Sequence, residues 1–370
     1  MSLSKTKILF TTAVILAGSA AFLGLTQKPS FGVQDRGDWN SVGQENISVT
    51  STIWINNPSK IKFNYSDVKL QYRVLMNEIV LVKGTREGVK IDQGNQTKTI
   101  NSTLLYDKIP DWWATHVRNS EVSKLRIPLS VKAGIGPVTV PFHTVAYRDR
   151  IDTDIIGMFD STLKQVRGEY NYGTEIAGYS TGPVIEVVGG SAEWGQVTSK
   201  STNILIDLRI RNPNSYPLPV PGLSGKIEMN QIALVEWSTS QAKLISSPED
   251  NVIAPGETEE LTFRVKMDNS KIDDWLASHI RRGERTEGTL NLKLAFEIQE
   301  QQITLPPGEG IRCNFSFRTA ILEDQNSSSS FNGCNIGSSS STNNSLDSNK
   351  DPQNDSSNNI IDDTVGEVIG

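Results

Sequence analysis

Apolar and polar residues alternate along several short runs of the chain, and these runs recur in the same order in two copies. A period of two is typical of a strand with one buried face. The alternating positions include Val49, Ile53 and Ile55 in the first copy and Ile204, Leu208 and Ile210 in the second. Both runs end at an Asn-Pro pair, Asn57-Pro58 and Asn212-Pro213. Proline cannot donate to a strand ladder and restricts the residue before it, so each pair predicts the end of a strand.

A tight turn follows in each copy. The two tetrapeptides are Met76-Asn77-Glu78-Ile79 and Met229-Asn230-Gln231-Ile232. Alternating residues before each tetrapeptide and a short apolar run after it predict β-hairpins. A later turn at Gly94 in the first copy corresponds to Gly256 in the second, and another strand pattern follows it.

The period then changes to that of a helix. The stretch DWWATHV begins at Asp111, and the similar stretch DWLASHI begins at Asp274. Counted from Ile109 or Ile272, the packed positions fall at i, i+3, i+4, i+7 and i+8, which predicts one apolar stripe on a three-turn helix. Asp107 and Ser270 are the expected N-caps. Strand patterning returns after both helices.

The positions that recur in both copies are expected to be structural. They are Trp39, Asn57, Pro58, Asp111, Trp112 and His116 in the first copy and Trp194, Asn212, Pro213, Asp274, Trp275 and His279 in the second. Two of the three histidines of the chain belong to this set, which raises a catalytic or metal-binding alternative. We expect them to border the packed face of each helix, where burying one Trp, Leu or Ile side chain contributes roughly 1.5 to 3 kcal/mol.

The order of these signals predicts two domains of strands, each with one helix. The expected boundaries are 32–156 for the first domain, 157–183 for a linker, 184–323 for the second domain and 324–370 for a tail. The tail is rich in Ser, Asn and Asp and has almost no apolar residues, so disorder is expected there.

Residues 1–31 are expected to be a membrane segment, because residues 8–25 form an uncharged apolar run after Lys5 and Lys7. At about 1.5 Å per residue, this run meets the lower limit for a spanning helix. The lysines favour a cytoplasmic N-terminus with the remainder exported, hence a single-pass cell-membrane protein with extracellular domains. A cleaved signal peptide and a secreted product are the alternative, because Ser19-Ala20-Ala21 offers small residues to a peptidase.

Export would make Asn-x-Ser/Thr sequons available for glycosylation. The candidate acceptors before the tail are Asn46, Asn64, Asn95, Asn101 and Asn314. Asn326, Asn343 and Asn354 in the tail are further sequons, with chance occurrence in an Asn- and Ser-rich segment as the alternative. Cys313 and Cys334 are the two cysteines of the chain, and they form either one disulfide or two unpaired thiols.

Composition excludes some functions. The net charge of -6, without a basic stripe, argues against binding to nucleic acid. Gly178-Tyr179-Ser180-Thr181-Gly182 satisfies the G-x-S-x-G motif, so a serine hydrolase that uses Ser180 is an alternative. That motif requires a helix directly after the serine, whereas residues 184–188 have strand character. The metal motifs HExxH and CxxC are absent, and we expect no cofactor, no metal and no enzymatic reaction.

The ordered series resembles the WHy domain, named for water stress and hypersensitive response, of the group 2 late embryogenesis abundant (LEA type 2) proteins. The resemblance rests on the strand that ends at Asn-Pro, the Met-Asn hairpin, the turn Ala254-Pro255-Gly256 and the DWxAxH helix that precedes a strand, over most of residues 32–323. A membrane segment with two such domains, the second opening on Ala192-Glu193-Trp194-Gly195, is similar to desiccation-related proteins of archaea. The first copy departs from the pattern at Asp92-Gln93-Gly94.

The resemblance implies a mainly β (α+β) fold of two tandem immunoglobulin-like antiparallel β-sandwich domains, each with one α-helix. It also implies a non-enzymatic protein that protects a cell against desiccation or water stress. The expected partners are the membrane, through residues 8–25, and envelope proteins, lipids or glycans. The alternative is a cell-surface receptor or adhesion module for a protein or glycan, which an exposed aromatic patch around Trp54 or Trp237 would favour.

Overall fold

The computed structural model describes most of the chain between residues 29 and 336. The described ranges are 29–43, 46–58, 68–135, 138–171, 175–176, 179–180, 184–298, 301–306, 310–322 and 328–336. Within them the chain is mainly β, with antiparallel sheets in a β-sandwich-like architecture and three α-helices. The N-terminal apolar run, Asn64 and the tail beyond residue 336 lie outside the described residues.

The first copy of the sequence repeat forms one sheet of seven strands, ordered β1-β2-β5-β4-β3-β6-β7. Helix α1 (Ile109–Arg118) connects β5 to β6. The strands are β1 (Ser30–Val42), β2 (Asn46–Asn57), β3 (Lys69–Met76), β4 (Ile79–Glu87), β5 (Gly94–Leu105), β6 (Val122–Ile135) and β7 (Val138–Asp152).

After β7, helix α2 (Ile155–Gln165) leads into β8 (Gly168–Asn171) and into the short pair β9 (Glu175–Ile176) and β10 (Tyr179–Ser180). The second copy then begins with β11 (Val184–Val197), and helix α3 (Ile272–Arg281) lies between β18 and β19. The strands before α3 are β12 (Ser201–Arg211), β13 (Leu218–Pro219), β14 (Gly222–Met229), β15 (Ile232–Trp237), β16 (Lys243–Ser246), β17 (Val252–Ile253) and β18 (Thr258–Asp268). The strands after it are β19 (Arg285–Ile298), β20 (Gln301–Leu305), β21 (Ile311–Arg318) and β22 (Ser328–Ile336).

The second copy divides its strands between two larger sheets. One has the order β16-β18-β12-β11-β8, and the other has the order β15-β14-β19-β21-β22 with β20 paired to β19. The strands β13 and β17 form a separate small pair. Inward-facing residues of the strands and helices build a core from aliphatic and aromatic side chains of both copies.

Equivalent strands pair in the same register in the two copies. The repeat aligns Thr50 and Asn101, which are partners across β2 and β5, with Leu205 and Arg264, which are partners across β12 and β18. The Met-Asn turns also agree, since positive φ angles at Asn77 and Glu78 recur at Asn230 and Gln231. Two successive residues with positive φ suit a two-residue hairpin turn.

The helices pack between the two copies. Helix α1 contacts α3 and also β11 of the second copy, while α3 contacts β1 of the first copy. All the described residues belong to one compact unit. The apolar stripe of each helix is shared between its own sheet and the other copy.

The helix starts differ from the sequence prediction. Asp107 and Ser270, the expected N-caps, lie inside 3₁₀ turns that precede α1 and α3 (Tyr106–Lys108 and Asn269–Lys271). In the second copy the capping carboxylate is Asp268, which accepts a hydrogen bond from the backbone N–H of Ser270 at 3.0 Å. The prediction placed the caps too late, because a 3₁₀ turn adds three residues of helical backbone before the α-helix itself.

Two segments contain regular structure that the sequence prediction did not include. The expected linker, 157–183, contains most of α2 and all of β8, and β8 pairs with β11. The expected tail contains β22, which pairs with β21, and a disulfide joins Cys313 to Cys334 across these two strands. In the part of the chain that the structure describes, no helix is long and apolar enough to cross a membrane.

Candidate functional site

The most unusual polar group of the first copy is the carboxylate of Glu121, which is buried directly after α1. It accepts hydrogen bonds from the backbone N–H groups of Ile155 and Ile156, at 2.6 and 2.8 Å. The hydroxyl of Thr153 donates a third, at 2.6 Å. The fourth donor is the indole N–H of Trp194, at 2.9 Å, and Trp194 belongs to the second copy. We call these five residues the first carboxylate cluster.

Glu284 of the second copy has the same surroundings. Its buried carboxylate accepts hydrogen bonds from the backbone N–H groups of Ile321 and Leu322 and from the hydroxyl of Thr319, at 2.9 Å for the hydroxyl. The indole N–H of Trp39, which lies on β1 of the first copy, donates at 3.0 Å. We call these residues the second carboxylate cluster.

The two clusters connect the copies reciprocally. Trp194 of the second copy donates to Glu121 of the first, and Trp39 of the first donates to Glu284 of the second. Burying a carboxylate is costly unless it is hydrogen-bonded, and bonds to a charged acceptor are stronger than neutral ones. Each copy therefore depends on a tryptophan of the other for part of the stabilisation of its buried charge.

Each cluster continues into the histidine of its own helix. In the first copy, Nε2 of His116 lies 2.9 Å from the hydroxyl of Thr153, and its Nδ1 lies 2.9 Å from the hydroxyl of Ser123. Ser123 in turn accepts a hydrogen bond from the indole of Trp112 at 2.8 Å. The second copy repeats this chain with distances of 2.7 to 3.0 Å, through Trp275, Thr286, His279 and Thr319.

The polarity of the chain assigns the tautomer of each histidine. Thr153 donates its proton to Glu121, so its oxygen accepts from Nε2–H of His116. Ser123 accepts from Trp112, so its own proton is directed to Nδ1. The imidazole is therefore neutral and protonated at Nε2, and by the same reasoning so is that of His279. Burial lowers the pKa of both histidines to about 4, which agrees with neutral rings at physiological pH.

This arrangement resembles a catalytic relay in its residue types but has no access for a substrate. His116 and His279 are each 1% exposed, and Ser123 and Thr286 are 0% exposed. A nucleophile or general base must reach the atom on which it acts. The geometry instead fixes the helix to the strand that follows it and to the other copy.

An aromatic contact lies beside the carboxylate clusters. The ring of Trp113 meets the ring of Trp194 edge-on at 5.9 Å and the ring of Trp275 at 6.1 Å. Its indole N–H also donates to Thr202 on β12, at 2.9 Å. The second copy has Leu276 at the position of Trp113, and leucine has no N–H group in its side chain. The hydrogen bond from Trp113 to Thr202 therefore has no equivalent in the second copy.

The remaining repeated residues lie elsewhere. Asn57 and Asn212 are buried at strand ends, where the side chain of Asn212 donates to the carbonyl oxygens of Tyr216 and Ile253. Pro58 and Pro213 follow them and are half-buried. Asp111 and Asp274 lie in the first turns of α1 and α3, where a carboxylate interacts favourably with the helix dipole. The structure brings together only the tryptophans and histidines of the repeated set.

Sequence reasoning missed the two glutamates. Both follow the helix at the same distance in the aligned copies, and both have a positive φ angle, 59° at Glu121 and 57° at Glu284. A glutamate after a helix is ordinarily a solvent-exposed residue, which is why it did not stand out. The available signal was the recurrence of Glu-x-Ser/Thr after both helices, Glu121-Val122-Ser123 and Glu284-Arg285-Thr286.

Other candidate sites offer less. Ser180 lies on β10 and is followed along the described chain by β11 rather than by a helix. Among the described residues, no group of His, Cys, Asp and Glu side chains could hold a metal ion. An open depression of about 520 Å³ lies where Pro110 of the first copy meets the second copy. Its other lining residues are Ser199, Lys200, Ser201, Lys266, Asp268 and Ser270. The backbone N–H of Ser270 holds the pKa of Asp268 below its ordinary value, which makes this carboxylate a weaker base.

The two tryptophans that would favour an adhesive surface do not form one. Trp237 is 4% exposed and belongs to the core. Trp54 is half-buried, and its ring lies so close over Gly32 that a Cβ atom there would be 2.3 Å from it. The two residues do not make a contiguous exposed aromatic patch.

Comparisons with known proteins do not assign the chain to a family. No family model matches it, and no curated protein matches it. Among solved structures it is similar to a crystal structure of a protein from Archaeoglobus fulgidus, with 24% sequence identity and a TM-score of 0.30. That match covers 36% of this chain and 97% of the other.

Proposed function

We propose that this chain is a membrane-anchored, non-enzymatic protein that protects the cell against desiccation or water stress. Residues 8–25 anchor it, and two tandem WHy-type domains, each an immunoglobulin-like sandwich with one helix, lie outside the cytoplasm. The observation that carries the proposal is the use of the repeated Trp and His residues. They join the copies through the two carboxylate clusters and leave no accessible reactive group among themselves.

The burial of these residues supports a physical rather than a chemical role. The repeated Trp and His residues, which a sequence motif would suggest as catalytic, instead form the buried contacts that connect the two copies. The surface that remains is polar, with large exposed apolar residues confined in the described part to Leu105, Tyr216 and Ile245. Such a unit, held near a membrane, interacts with solutes, lipids or envelope proteins when water activity falls. In the described part of the chain, Trp54 and Trp237 do not form the exposed aromatic patch that would favour the receptor or adhesion alternative.

The proposal is tested by drying cells that lack the gene and counting survivors after rewetting. We expect lower survival than in the parent strain, restored by the full chain and equally by the Ser180→Ala variant. A chain in which a cleavable signal peptide replaces residues 8–25 should not restore survival. Unchanged survival of the deletion strain, or failure of Ser180→Ala to restore it, contradicts the proposal.

A further inference from the structure

One face of the first copy presents a continuous row of uncharged side chains to solvent. Strands β2 and β5 are neighbours, and their outward side chains are uncharged. These residues are Asn46, Ser48, Thr50, Thr52, Trp54 and Asn56 on β2 and Asn95, Thr97, Thr99, Asn101, Thr103 and Leu105 on β5. We call this surface the β2–β5 face.

Three of the sequons of the chain lie on this face. They are Asn46-Ile47-Ser48, Asn95-Gln96-Thr97 and Asn101-Ser102-Thr103. The three asparagines are exposed. Side chains two residues apart in a strand point to the same side, so each asparagine shares the face with the hydroxyl of its own sequon.

The spacing leaves room for a glycan at each position. Asn95 and Asn101 are both on β5, and about 3.3 Å per residue puts them roughly 20 Å apart. Asn46 pairs with Leu105 and therefore lies past Asn101 at the far end of the same face. In Asn101 the carbonyl oxygen of the side chain accepts from Thr50 at 3.0 Å, which leaves the amide nitrogen as the reacting atom.

The second copy provides an internal contrast. Its equivalent face, on β12 and β18, carries charged residues, namely Asp207, Arg209, Glu260 and Arg264 in place of Thr52, Trp54, Thr97 and Asn101. No asparagine between residues 184 and 298 begins a sequon. Asn314 is half-buried on β21, which has paired neighbours on both sides, and it does not belong to the β2–β5 face.

We infer that the β2–β5 face is a glycosylated surface, with N-linked glycans on Asn46, Asn95 and Asn101. The co-substrate is a lipid-linked oligosaccharide, used by a membrane transferase of the exporting cell. The amide nitrogen of each asparagine forms a bond to the anomeric carbon of the first sugar and loses one proton to a base of the transferase. The bond between that carbon and the phosphate oxygen breaks, and the lipid phosphate leaves with the electron pair. This inference rests on the export that the proposed function includes.

The test is peptide mass spectrometry of the full chain purified from its own cells, after labelling intact cells with a membrane-impermeant amine reagent. We expect glycans on at least two of the three asparagines. For each asparagine that carries a glycan, its replacement by glutamine (Asn46→Gln, Asn95→Gln or Asn101→Gln) should remove one glycan mass step. Thr97→Val and Thr103→Val should remove the glycan of Asn95 and of Asn101 while keeping the asparagine. The matched control is Asn40→Gln, an exposed asparagine outside any sequon, which should change nothing.

The labelling result tests the export of the chain, and the mass spectrum tests the glycosylation of the β2–β5 face. A surface-labelled chain with fewer than two of the three asparagines modified overturns the glycosylated face and leaves the exported location intact. A chain that is neither labelled nor modified overturns the export as well, and with it the proposed function. Glycans that occur only on Asn64, Asn314 or the tail also overturn the assignment to this face.

Discussion

The conformation of Glu121 and Glu284 shows why the carboxylate clusters require several donors. A residue other than glycine with φ near 60° costs on the order of 1–3 kcal/mol, and a buried carboxylate adds a desolvation penalty. Bonds from two backbone N–H groups, one hydroxyl and one indole offset both costs. The side chain of a residue just after a helix usually points into solvent. At Glu121 and Glu284 the backbone has a positive φ angle, and the side chain is buried in the interior instead.

Replacing either glutamate with glutamine should be strongly destabilising. Glu121→Gln or Glu284→Gln keeps the shape but puts an amide N–H₂ against groups that are themselves donors. We expect the free energy of unfolding to fall by about 2–4 kcal/mol, as measured by urea denaturation. The control is Glu78→Gln, because the carboxylate of Glu78 is 67% exposed and its ion pair with Arg126 is solvated. A loss for either buried glutamate no larger than for Glu78 would contradict the role of the clusters.

The buried histidines predict how stability depends on pH. Burial lowers the pKa of His116 and His279 from 6.5 to about 4, so the unfolded chain binds protons at a higher pH than the folded chain. The free energy of unfolding should be constant above pH 7 and should decrease as pH falls below 6.5. For the pair, the loss by pH 5 is about 4 kcal/mol.

This pH dependence is measured by urea unfolding at intervals from pH 7.5 to 5. The double variant His116→Gln/His279→Gln should start from a lower stability at pH 7.5 and show a much shallower decrease. His143→Gln replaces an exposed histidine and should keep the wild-type slope. If the double variant retained the full slope, other groups would be responsible for it.

At the scale of elements, local sequence patterns predict the strands, hairpins and helices of the repeat. They do not predict α2 or β22, which depend on contacts with distant parts of the chain. Alternation and two-residue turns are local properties, and the pairs Met76 with Ile79 and Met229 with Ile232 occur as the pattern predicts. Helix α2 also has an apolar stripe, with Ile155, Met158, Phe159 and Leu163 buried. Its start, however, has no local side-chain cap, because the carboxylate that receives its first N–H groups is Glu121, far away in sequence. That cap is visible only once the chain has folded.

Strand β22 was missed for a different reason. Its serine-rich sequence lacks apolar alternation, and its pairing to β21 is accompanied by the disulfide between Cys313 and Cys334. Two cysteines alone cannot tell whether they pair. The structure supplies the missing information by making them direct cross-strand partners.

Removing the disulfide should weaken this part of the second copy. The cysteines are separated by 21 positions, and closing a loop of that size contributes about 3 kcal/mol in the chain-entropy estimate. We expect the Cys313→Ser/Cys334→Ser variant to lose roughly that amount and to expose β22 to limited proteolysis. The wild-type chain treated with a reductant should behave in the same way. Equal protease resistance of the oxidised and reduced chains would show that β22 does not depend on the bridge.

At the scale of the whole molecule, the reciprocal pairs make the copies mutually dependent. Trp194 is needed by the cluster of Glu121, and Trp39 is needed by the cluster of Glu284. Both copies also contribute to one continuous core. The sequence predicted two copies but not the contacts between them. A contact between two copies leaves no periodic pattern in the sequence of either copy.

The two copies should therefore unfold together. Calorimetry of the purified chain should give one transition, with calorimetric and van't Hoff enthalpies that agree. The variant Trp39→Phe/Trp194→Phe keeps the rings but removes both indole donors, and it should lower the midpoint or separate the transition into two. Trp54→Phe, on the β2–β5 face, is the control and should keep a single transition. Two separate transitions in the wild-type chain would contradict the mutual dependence of the copies.

The central functional proposal is that the two copies of the repeat are held at the outer surface of a membrane. It is tested most directly by fractionating the native cells, treating intact cells with a protease, and sequencing the N-terminus of the protein that remains with the membrane. We predict a membrane-bound chain that begins at Met1 or Ser2 and whose body is cut from outside. A soluble chain that begins near Phe22, or a membrane-bound chain that the protease reaches only after lysis, would contradict the claim.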